Sequence, residues 1–518
     1  MENILKLTEL KLIILSVIAI TTYLITLKNK KLTKHEAKTA LFLFINFIIC
    51  LAVMFYLQNF FNSTHVFTII TIIFSVISLI ILKLLKTNNN YLTTLFTSII
   101  IGSILLGYNL YTPFHSRQHD CRNFGYPEHG GHFGYIGYIY TYHTLPVGSP
   151  ADTWCFYNPP LFYIISTIIL KITTFLKGSL ELGFENLQIF AMMYTIVFDV
   201  YVYRILKELN IKKSIIPTIL FVALSPAMVI MSGSINNDIL SITLATMAIY
   251  YTLIWYKKDD LKTLLKIALT IGLSIMTKIS TALIAVAIAI VFLKKVIENK
   301  KDFFKYVKHF SIFALIALPI GLWFPIKNLV LYDIPFTYVQ SVDESNDANV
   351  SKYSTLKRFF KINEGHLSNI NINMSKENAE YNLYTTTLKS FIIDEYIEYH
   401  ESKLASFSIT YMFYLCIMIS IIYLINIFYV LKNRKELCNN WLYFFIIIGI
   451  LQIGSYISFC FNFPFTFTMN FRYIVPTLIT YAVITSTASE ANKRLLHINT
   501  TLNIIFAITS IIMFTNIF

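Results

Sequence analysis

The chain has 518 residues, of which 56% are apolar and only 14% are charged, and its mean hydropathy is +0.62. Soluble domains carry about 25% charged residues, so this apolar excess cannot be hidden in one aqueous core. The composition excludes a soluble enzyme, a nucleic-acid-binding protein and a disordered chain. The net charge of +14 comes mostly from basic residues in short loops between apolar blocks, as in the positive-inside pattern of membrane proteins. The sequence therefore predicts a polytopic α-helical membrane protein.

The apolar blocks have roughly the 17–25 residues that a helix needs to cross the hydrocarbon of a bilayer. The first block, residues 11–27, is followed by the basic stretch 28–38, so we expect an external N-terminus and a cytoplasmic first loop. Further helices are predicted near residues 39–57, 66–85, 91–110, 186–206, 214–232, 239–256, 310–324, 404–431, 441–460, 473–489 and 498–517.

Two stretches do not fit a simple alternation. Residues 159–182 and 186–206 would make two crossings where the flanking charges require an odd number, and this count stays open. Residues 265–293 carry a polar break at Thr277 and Lys278, and we interpret them as two short helices that meet inside the membrane. The predicted fold class is therefore all-α, a bundle of about 12–14 transmembrane helices.

Two outer segments are long, and they define the expected organisation. Residues 111–157 are rich in Tyr, His, Gly and Pro, whereas residues 333–403 are net acidic, with 11 Asp and Glu against 7 Lys and Arg. We expect three N-terminal helices in 1–90, a catalytic module in 91–332, the outer loop 333–403 and the C-terminal helices in 404–518. The first outer segment also holds Cys121 and Cys155, for which both a disulfide and two thiols stay open.

The densest polar cluster, residues 115–120, ends in His119 and Asp120. A carboxylate at the outer rim of the membrane can act as general base towards an incoming hydroxyl, although a solvated loop carboxylate is the ordinary alternative. The spacing of His129 and His132 would permit a metal ligand pair, but lone histidine pairs are usually not ligands. We therefore predict no cofactor, with a divalent metal as the less favoured alternative.

Two polar steps stand next to predicted helices. Tyr157 and Asn158 precede two prolines, which suit the first turn of a helix, so this step predicts a rigid helix entry with possible substrate contacts. Asn237 and Asp238 precede the helix predicted at 239–256. They can bind a sugar or cap that helix, since capping is an ordinary use of Asn and Asp.

Three cations complete the set of candidate residues. Lys278 lies within an apolar stretch, where a charge normally faces a cavity or a partner, while Lys327 and Arg472 lie at outer helix ends. Preorganised cations at this depth suit a lipid-linked phosphate. Asp199, in an apolar helix near Arg204, is explained without function by an intrahelical ion pair.

These pieces, in this order, resemble the glycosyltransferase family 39 of the GT-C superfamily, the dolichyl-phosphate-mannose protein mannosyltransferases, whose bacterial members include lipid A aminoarabinose transferases. The resemblance covers about residues 91–490 and implies a GT-C-like bundle with two large outer loops. The matching pieces are His119-Asp120, Tyr157-Asn158-Pro159-Pro160-Leu161-Phe162-Tyr163, Asn236-Asn237-Asp238, Thr277-Lys278-Ile279-Ser280, Lys327-Asn328-Leu329-Val330-Leu331-Tyr332 and Arg472-Tyr473-Ile474-Val475-Pro476. Asn158 stands where the family often has His, Lys327 where it often has Arg, and Cys121 where eukaryotic members have a second carboxylate.

The resemblance implies transfer of a sugar, with inversion, from a polyprenyl-phosphate donor to a protein, cell-wall polymer or lipid acceptor outside the cytoplasm. The enzyme would be a multi-pass protein of a bacterial plasma membrane. In that reading Asp120 is the general base, His119 assists it, and Arg472 with Lys278 or Lys327 binds the donor phosphate. Asn237, Asp238, Asn158 and Tyr157 would contact substrate. The alternative is a lipid-linked sugar flippase or transporter, which would use the same cations without covalent chemistry.

Overall fold

The computed structural model describes residues 127–177, 180–394, 403–433 and 441–516, together with Ile45. The helices predicted between residues 11 and 110 lie outside the described residues, as do His119, Asp120 and Cys121. Within the described ranges the chain is mostly helical, and the only β-type pairing there is an isolated antiparallel bridge between Asn349 and Phe465. The predicted all-α class is thus confirmed.

The described ranges contain sixteen α-helices, which 3-10 turns and loops connect. In chain order they are α1 (Gly131–Tyr142), α2 (Leu161–Lys177), α3 (Leu180–Glu208), α4 (Ile215–Ala223), α5 (Pro226–Gly233), α6 (Asp238–Lys258), α7 (Leu261–Thr277), α8 (Ala282–Glu298), α9 (Phe303–Tyr332), α10 (Thr355–Phe360), α11 (Glu364–Ser368), α12 (Leu383–Ile393), α13 (Lys403–Lys432), α14 (Leu442–Asn462), α15 (Thr477–Ala491) and α16 (Lys493–Asn516).

Six of the helical segments in the described ranges are long and apolar enough to cross a membrane, or seven if α4 and α5 form one bent span. These segments are Asp238–Lys258, Ile279–Glu298, Lys300–Tyr332, Lys403–Lys432, Leu442–Asn462 and Lys493–Phe514. Most present many large apolar side chains on the protein surface, such as Phe407 on α13 and Val330 on α9, which are 67% and 71% exposed. Such exposure suits contact with lipid, and the protein is a multi-pass membrane protein.

The helix predicted at 214–232 is in fact two helices, α4 and α5, bent by 52°. Pro226 stands in the first turn of α5, and a proline there has no N–H with which to continue the preceding helix. The carbonyl of Leu224 accepts a hydrogen bond from Ser510 Oγ on α16 at 2.6 Å. A side chain of another helix thus satisfies a carbonyl at the break.

The break predicted within residues 265–293 is found in the structure. The chain does break at Thr277 and Lys278, because α7 ends at Thr277 and a 3-10 turn over Ile279–Thr281 leads into α8. The two helices that meet there, α7 and α8, have 17 residues each, and α7 packs along the length of α6. The depth of this break within the membrane stays a prediction.

A close helix crossing joins α7 to α9. A Cβ atom added at Gly272 would lie 3.1 Å from the carbonyl oxygen of Ala317, and one at Gly321 would lie 3.2 Å from Ile275 Cβ. Small residues let helix backbones approach in this way in membrane bundles. The row α3, α6, α7 and α9 consequently forms one tightly packed layer.

Residues 333–394, here called the polar segment, fold against the loop 463–471. The backbone N–H of Val350 donates to Pro464 O, and that of Thr466 donates to Ala348 O, both at 2.8 Å. The guanidinium of Arg358, only 3% exposed, donates to Cys460 O at 2.8 Å. The polar segment is therefore a packed cap on one end of the bundle.

The bundle has two chemically different ends. The end where α6 ends and α7 begins gathers basic side chains, including Lys257, which pairs with Glu208 at 2.6 Å, and Lys305, which pairs with Asp259 at 2.6 Å. The opposite end, where α6 begins, carries the polar segment and is called the site end below. The 21 residues of α6 separate the two ends by about 30 Å at 1.5 Å per residue.

Candidate active site

The α6–α7 hairpin brings two of the predicted residues together at the site end. The side chain of Asn237 donates from Nδ2 to Thr277 O at 3.0 Å, which ties the start of α6 to the end of α7. Asp238 is the first residue of α6 and Lys278 directly follows α7. Because the two helices run antiparallel, residues 40 positions apart become neighbours.

Asp238 is the centre of a charged cluster in this part of the molecule. Its carboxylate is 2% exposed, Oδ1 pairs with Lys278 Nζ, and Oδ2 lies 3.8 Å from Arg472 Nη1. Both cations also lie over the ring of Tyr473, with Lys278 Nζ 5.2 Å and Arg472 Cζ 4.7 Å from its centroid. One carboxylate and two cations leave a net charge of +1 for these three groups.

Arg472 is positioned by the loop that the polar segment covers. The side chain of Asn470, itself 2% exposed, accepts from the backbone N–H of Arg472 at 2.9 Å and donates to Asp394 Oδ1 at 2.7 Å. The guanidinium then donates from Nη2 to the Tyr473 hydroxyl at 2.6 Å. The polar segment thus fixes the backbone from which this cation extends.

A pocket opens beside the cluster, and we call it the first pocket. It is lined by Asp238, Ser241, Ile242, Lys278, Ser280, Thr281, Gln452, Arg472, Tyr473 and Pro476. Ser280 belongs to a motif quoted from the sequence but was given no role, and Thr281 and Gln452 were not singled out from the sequence. Gln452 left a signal, because it is an amide in the middle of the largely apolar helix α14, and it is 5% exposed.

His132 is a buried histidine near this site, and it was considered above as a metal ligand. Its Nδ1 lies 2.9 Å from the Tyr163 hydroxyl, and its ring stacks on that tyrosine at 5.8 Å. The preceding glycines shape the backbone, since Gly130 has a φ of 64° and a Cβ there would lie 3.0 Å from Trp154 O. In the described ranges there is no group of three or more His, Cys, Asp or Glu side chains arranged to hold a metal ion.

Tyr157 and Asn158 line a different cavity, the second pocket. Its full lining is Tyr157, Asn158, Pro159, Ile279, Pro325, Asn328, Ile334, Pro335, Phe336 and Tyr338. Asn158 donates from Nδ2 to Cys155 O at 3.0 Å, and the ring of Tyr157 meets that of Tyr338 edge to face at 5.3 Å. Lys278 lines the first pocket and the next residue, Ile279, lines the second, so the same stretch of backbone contributes to both.

The structure places Lys327 outside the charged cluster. Its Nζ lies over two rings of its own helix, 5.7 Å from the centroid of Phe324 and 6.0 Å from that of Tyr332. Lys327 lines neither pocket. Its role in phosphate binding stays a prediction, as does the contact of Asn237 with substrate.

Asp199 does not pair with Arg204, the partner expected from the sequence. Instead of pairing with Asp199, the guanidinium of Arg204 lies over the rings of Tyr201 and Tyr250, 5.0 and 5.7 Å from their centroids. Asp199 is 5% exposed, and its Oδ1 has no hydrogen-bond partner in the part of the chain that the structure describes. The intrahelical ion pair proposed from the sequence is therefore not formed.

The fold and the charged cluster define a class, that of multi-pass helical membrane proteins with a pocket lined by charged side chains at one end of the bundle. Residues 158–323 match the family model described as dolichyl-phosphate-mannose-protein mannosyltransferase. The match includes Asn158, Asp238 and Lys278 and confirms the resemblance predicted from the motifs. It supports a membrane glycosyltransferase of the GT-C type. No curated protein is similar enough to this chain to count as a match.

Proposed function

We propose that the protein transfers a sugar from a polyprenyl-phosphate donor to an acceptor outside the cytoplasm, with inversion at the anomeric carbon. The observation that carries this proposal is the convergence of Lys278 and Arg472 on Asp238 in the first pocket. The family match supports a lipid-linked donor.

The net charge of the cluster suits the donor. A sugar linked to a polyprenyl phosphate is a phosphodiester with one negative charge, which would neutralise the net +1 of Asp238, Lys278 and Arg472. Arg472 offers a planar fork of donors to phosphate oxygens, whereas Lys278 offers a point charge. Asp238 orients both cations before the donor arrives, so little reorganisation is required on binding.

The same cluster favours the reaction more than it favours the bound donor. When the bond between the anomeric carbon and the phosphate oxygen breaks, the leaving phosphate becomes a monoester, which carries about −1.5 to −2 charges at neutral pH. Fixed cations stabilise this growing charge more strongly than the single charge of the donor, and such differential binding accelerates the chemical step.

The acceptor hydroxyl must lose a proton as its oxygen attacks the anomeric carbon. We assign this proton to the Asp120 carboxylate, assisted by His119, on the basis of their sequence position alone, since both lie outside the described residues. The polyprenyl phosphate leaves from the opposite face of the sugar, which gives inversion. No metal ion takes part in this scheme.

The direct test uses purified protein in liposomes with radiolabelled polyprenyl-phosphate hexoses and a membrane extract as the acceptor source. We expect label to move from the lipid to one acceptor fraction, and Asp120→Asn to abolish this transfer while leaving binding of the donor intact. Asp343→Asn, which alters an exposed carboxylate in the polar segment, is the matched control and should transfer normally. Normal turnover by Asp120→Asn would overturn its assignment.

A flippase or transporter is the alternative, and Asp199 is the observation that favours it, because buried intramembrane acids often mark transport paths. The same liposomes separate the two functions. A transporter would move the intact lipid-linked sugar between leaflets and form no new glycosidic bond.

A further inference from the structure

The second pocket has a polar atom on its floor that no described residue satisfies. Asn328 is 3% exposed, and its Oδ1 has no hydrogen-bond partner within the described ranges. A buried acceptor left without a donor costs about 1–3 kcal/mol. The arrangement therefore favours a ligand that brings a hydroxyl or N–H group to this atom.

Apart from the amide of Asn158, the rest of the lining is apolar and aromatic. Pro159 and Pro325 are buried with Asn328, whereas Tyr157 and Tyr338 are half-buried and Phe336 is 40% exposed. The cavity is thus a cleft with a buried floor and an accessible aromatic rim. An apolar lining with a few fixed polar groups is typical of sites for small organic ligands.

We propose that the second pocket binds a sugar ring, with one hydroxyl donating to Asn328 Oδ1 and the C–H face of the ring against Tyr157 and Tyr338. A sugar offers an apolar C–H face together with hydroxyl donors. An isoprene chain is also apolar but has no hydroxyl group to donate. An ionised phosphodiester has only acceptor oxygens, so it would leave Asn328 Oδ1 without a hydrogen-bond donor.

The position of the pocket agrees with this ligand and rests on the proposed function. Lys278 lines the first pocket and Ile279 lines the second, so a phosphate held by Lys278 would have its attached sugar near the second pocket. An acceptor glycan could reach the same cleft from its open rim. The ligand chemistry is the same in both cases, and the experiment below separates the two sources.

The test measures binding by native mass spectrometry to wild-type protein and to Asn328→Leu, which keeps the side-chain volume but removes the amide. One probe is polyprenyl phosphate with and without a hexose, and the other is a set of methyl hexosides. If the donor sugar occupies the pocket, Asn328→Leu binds the hexose-bearing lipid about five- to tenfold more weakly, as loss of one neutral hydrogen bond predicts. If an acceptor sugar occupies it, only the methyl hexosides lose affinity by this factor.

The binding of polyprenyl phosphate without sugar is the internal control, and it should be the same in both proteins. Phe360→Ala, which truncates an exposed aromatic residue on α10, is the control for Phe336→Ala, and only the latter should weaken sugar binding. Unchanged binding of both sugar probes by Asn328→Leu would overturn the proposal, as would tighter binding of the sugar-free lipid. Failure of wild-type protein to bind any polyprenyl phosphate would instead contradict the proposed function.

Discussion

Asp238 is the residue on which the charged cluster depends. It is nearly inaccessible and holds two cations, whereas the side chains of Lys278 and Arg472 are 19% and 10% exposed. Removing one partner from a buried pair leaves an uncompensated charge, and this costs about 3–5 kcal/mol. The three residues should therefore behave as one energetic unit.

We predict that Asp238→Asn lowers the free energy of unfolding by about 3 kcal/mol, because it leaves Lys278 and Arg472 adjacent without a counter-charge. Lys278→Met should cost less, since Arg472 still faces the carboxylate. The double variant should be more stable than the sum of the two single effects predicts. Thermal unfolding in detergent measures all three, and simple additivity would show that the residues do not interact.

His366 provides a second residue-scale prediction, in the polar segment. Burial and the nearby charge of Lys389 lower its pKa below the usual 6.5, and its Nε2 lies 3.2 Å from Asn378 O. The folded form therefore binds fewer protons at this histidine than the unfolded chain does. Neutral His366 contributes stability above about pH 6.5, and this contribution is lost as the pH falls through the lowered pKa of the folded form.

The rate of backbone hydrogen exchange over residues 363–381, corrected for the intrinsic rate, should be higher at pH 5 than at pH 7.5. His366→Gln should remove this rise, whereas His143→Gln, at an exposed position, should retain it. A wild-type polar segment with the same protection at both pH values would contradict the assignment.

At the scale of the elements, periodicity and apolar runs were sufficient to locate α6, α13 and α14 to within two residues, because each is a long apolar helix between clear ends. The bend between α4 and α5 was not predicted, although Pro226 marked it, because the apolar pattern runs through the break. The role of Lys278 was only half predicted. A charge within an apolar stretch signals a polar site, but only the packing of α6 on α7 reveals that its partner is Asp238.

The crossing of α7 and α9 yields a prediction about elements. Gly272→Ala and Gly321→Ala should each lower stability by about 1–3 kcal/mol, as overpacking does, because the added methyl groups approach Ala317 O and Ile275. Gly454→Ala on α14 is the control, since a Cβ there meets nothing within 4 Å. That substitution should be neutral or stabilising by up to about 1 kcal/mol. Equal effects at the three glycines, measured by thermal unfolding, would rule out a tight crossing.

At the scale of the whole molecule, the separation of basic and site ends implies an orientation. Lysines gather at the end of α6 that is remote from Asp238, and the positive-inside rule places such an end in the cytoplasm. The first and second pockets and the polar segment would then face outside. This orientation could be predicted from the loop charges alone. The packing of the loop 463–471 against the polar segment could not be predicted, because it depends on contacts between residues about 80–120 positions apart.

An epitope tag inserted at Asp343 should be detected on intact cells, and one inserted at Lys300 only after the membrane is permeabilised. Both residues are exposed, so neither insertion should disturb packing. Detection of both tags after permeabilisation confirms expression, and the reverse pattern would show that the site end faces the cytoplasm.

The pairing of Asp238 with Lys278 has a consequence for biosynthesis. The hairpin that joins them is complete almost 200 residues before Arg472 is made, an interval of about 10–40 s at ordinary rates of translation. We expect Lys278 to pair with Asp238 during that time, so that the hairpin can enter the bilayer without a lone ammonium group. Arg472 would join last and change the net charge of the three groups from 0 to +1.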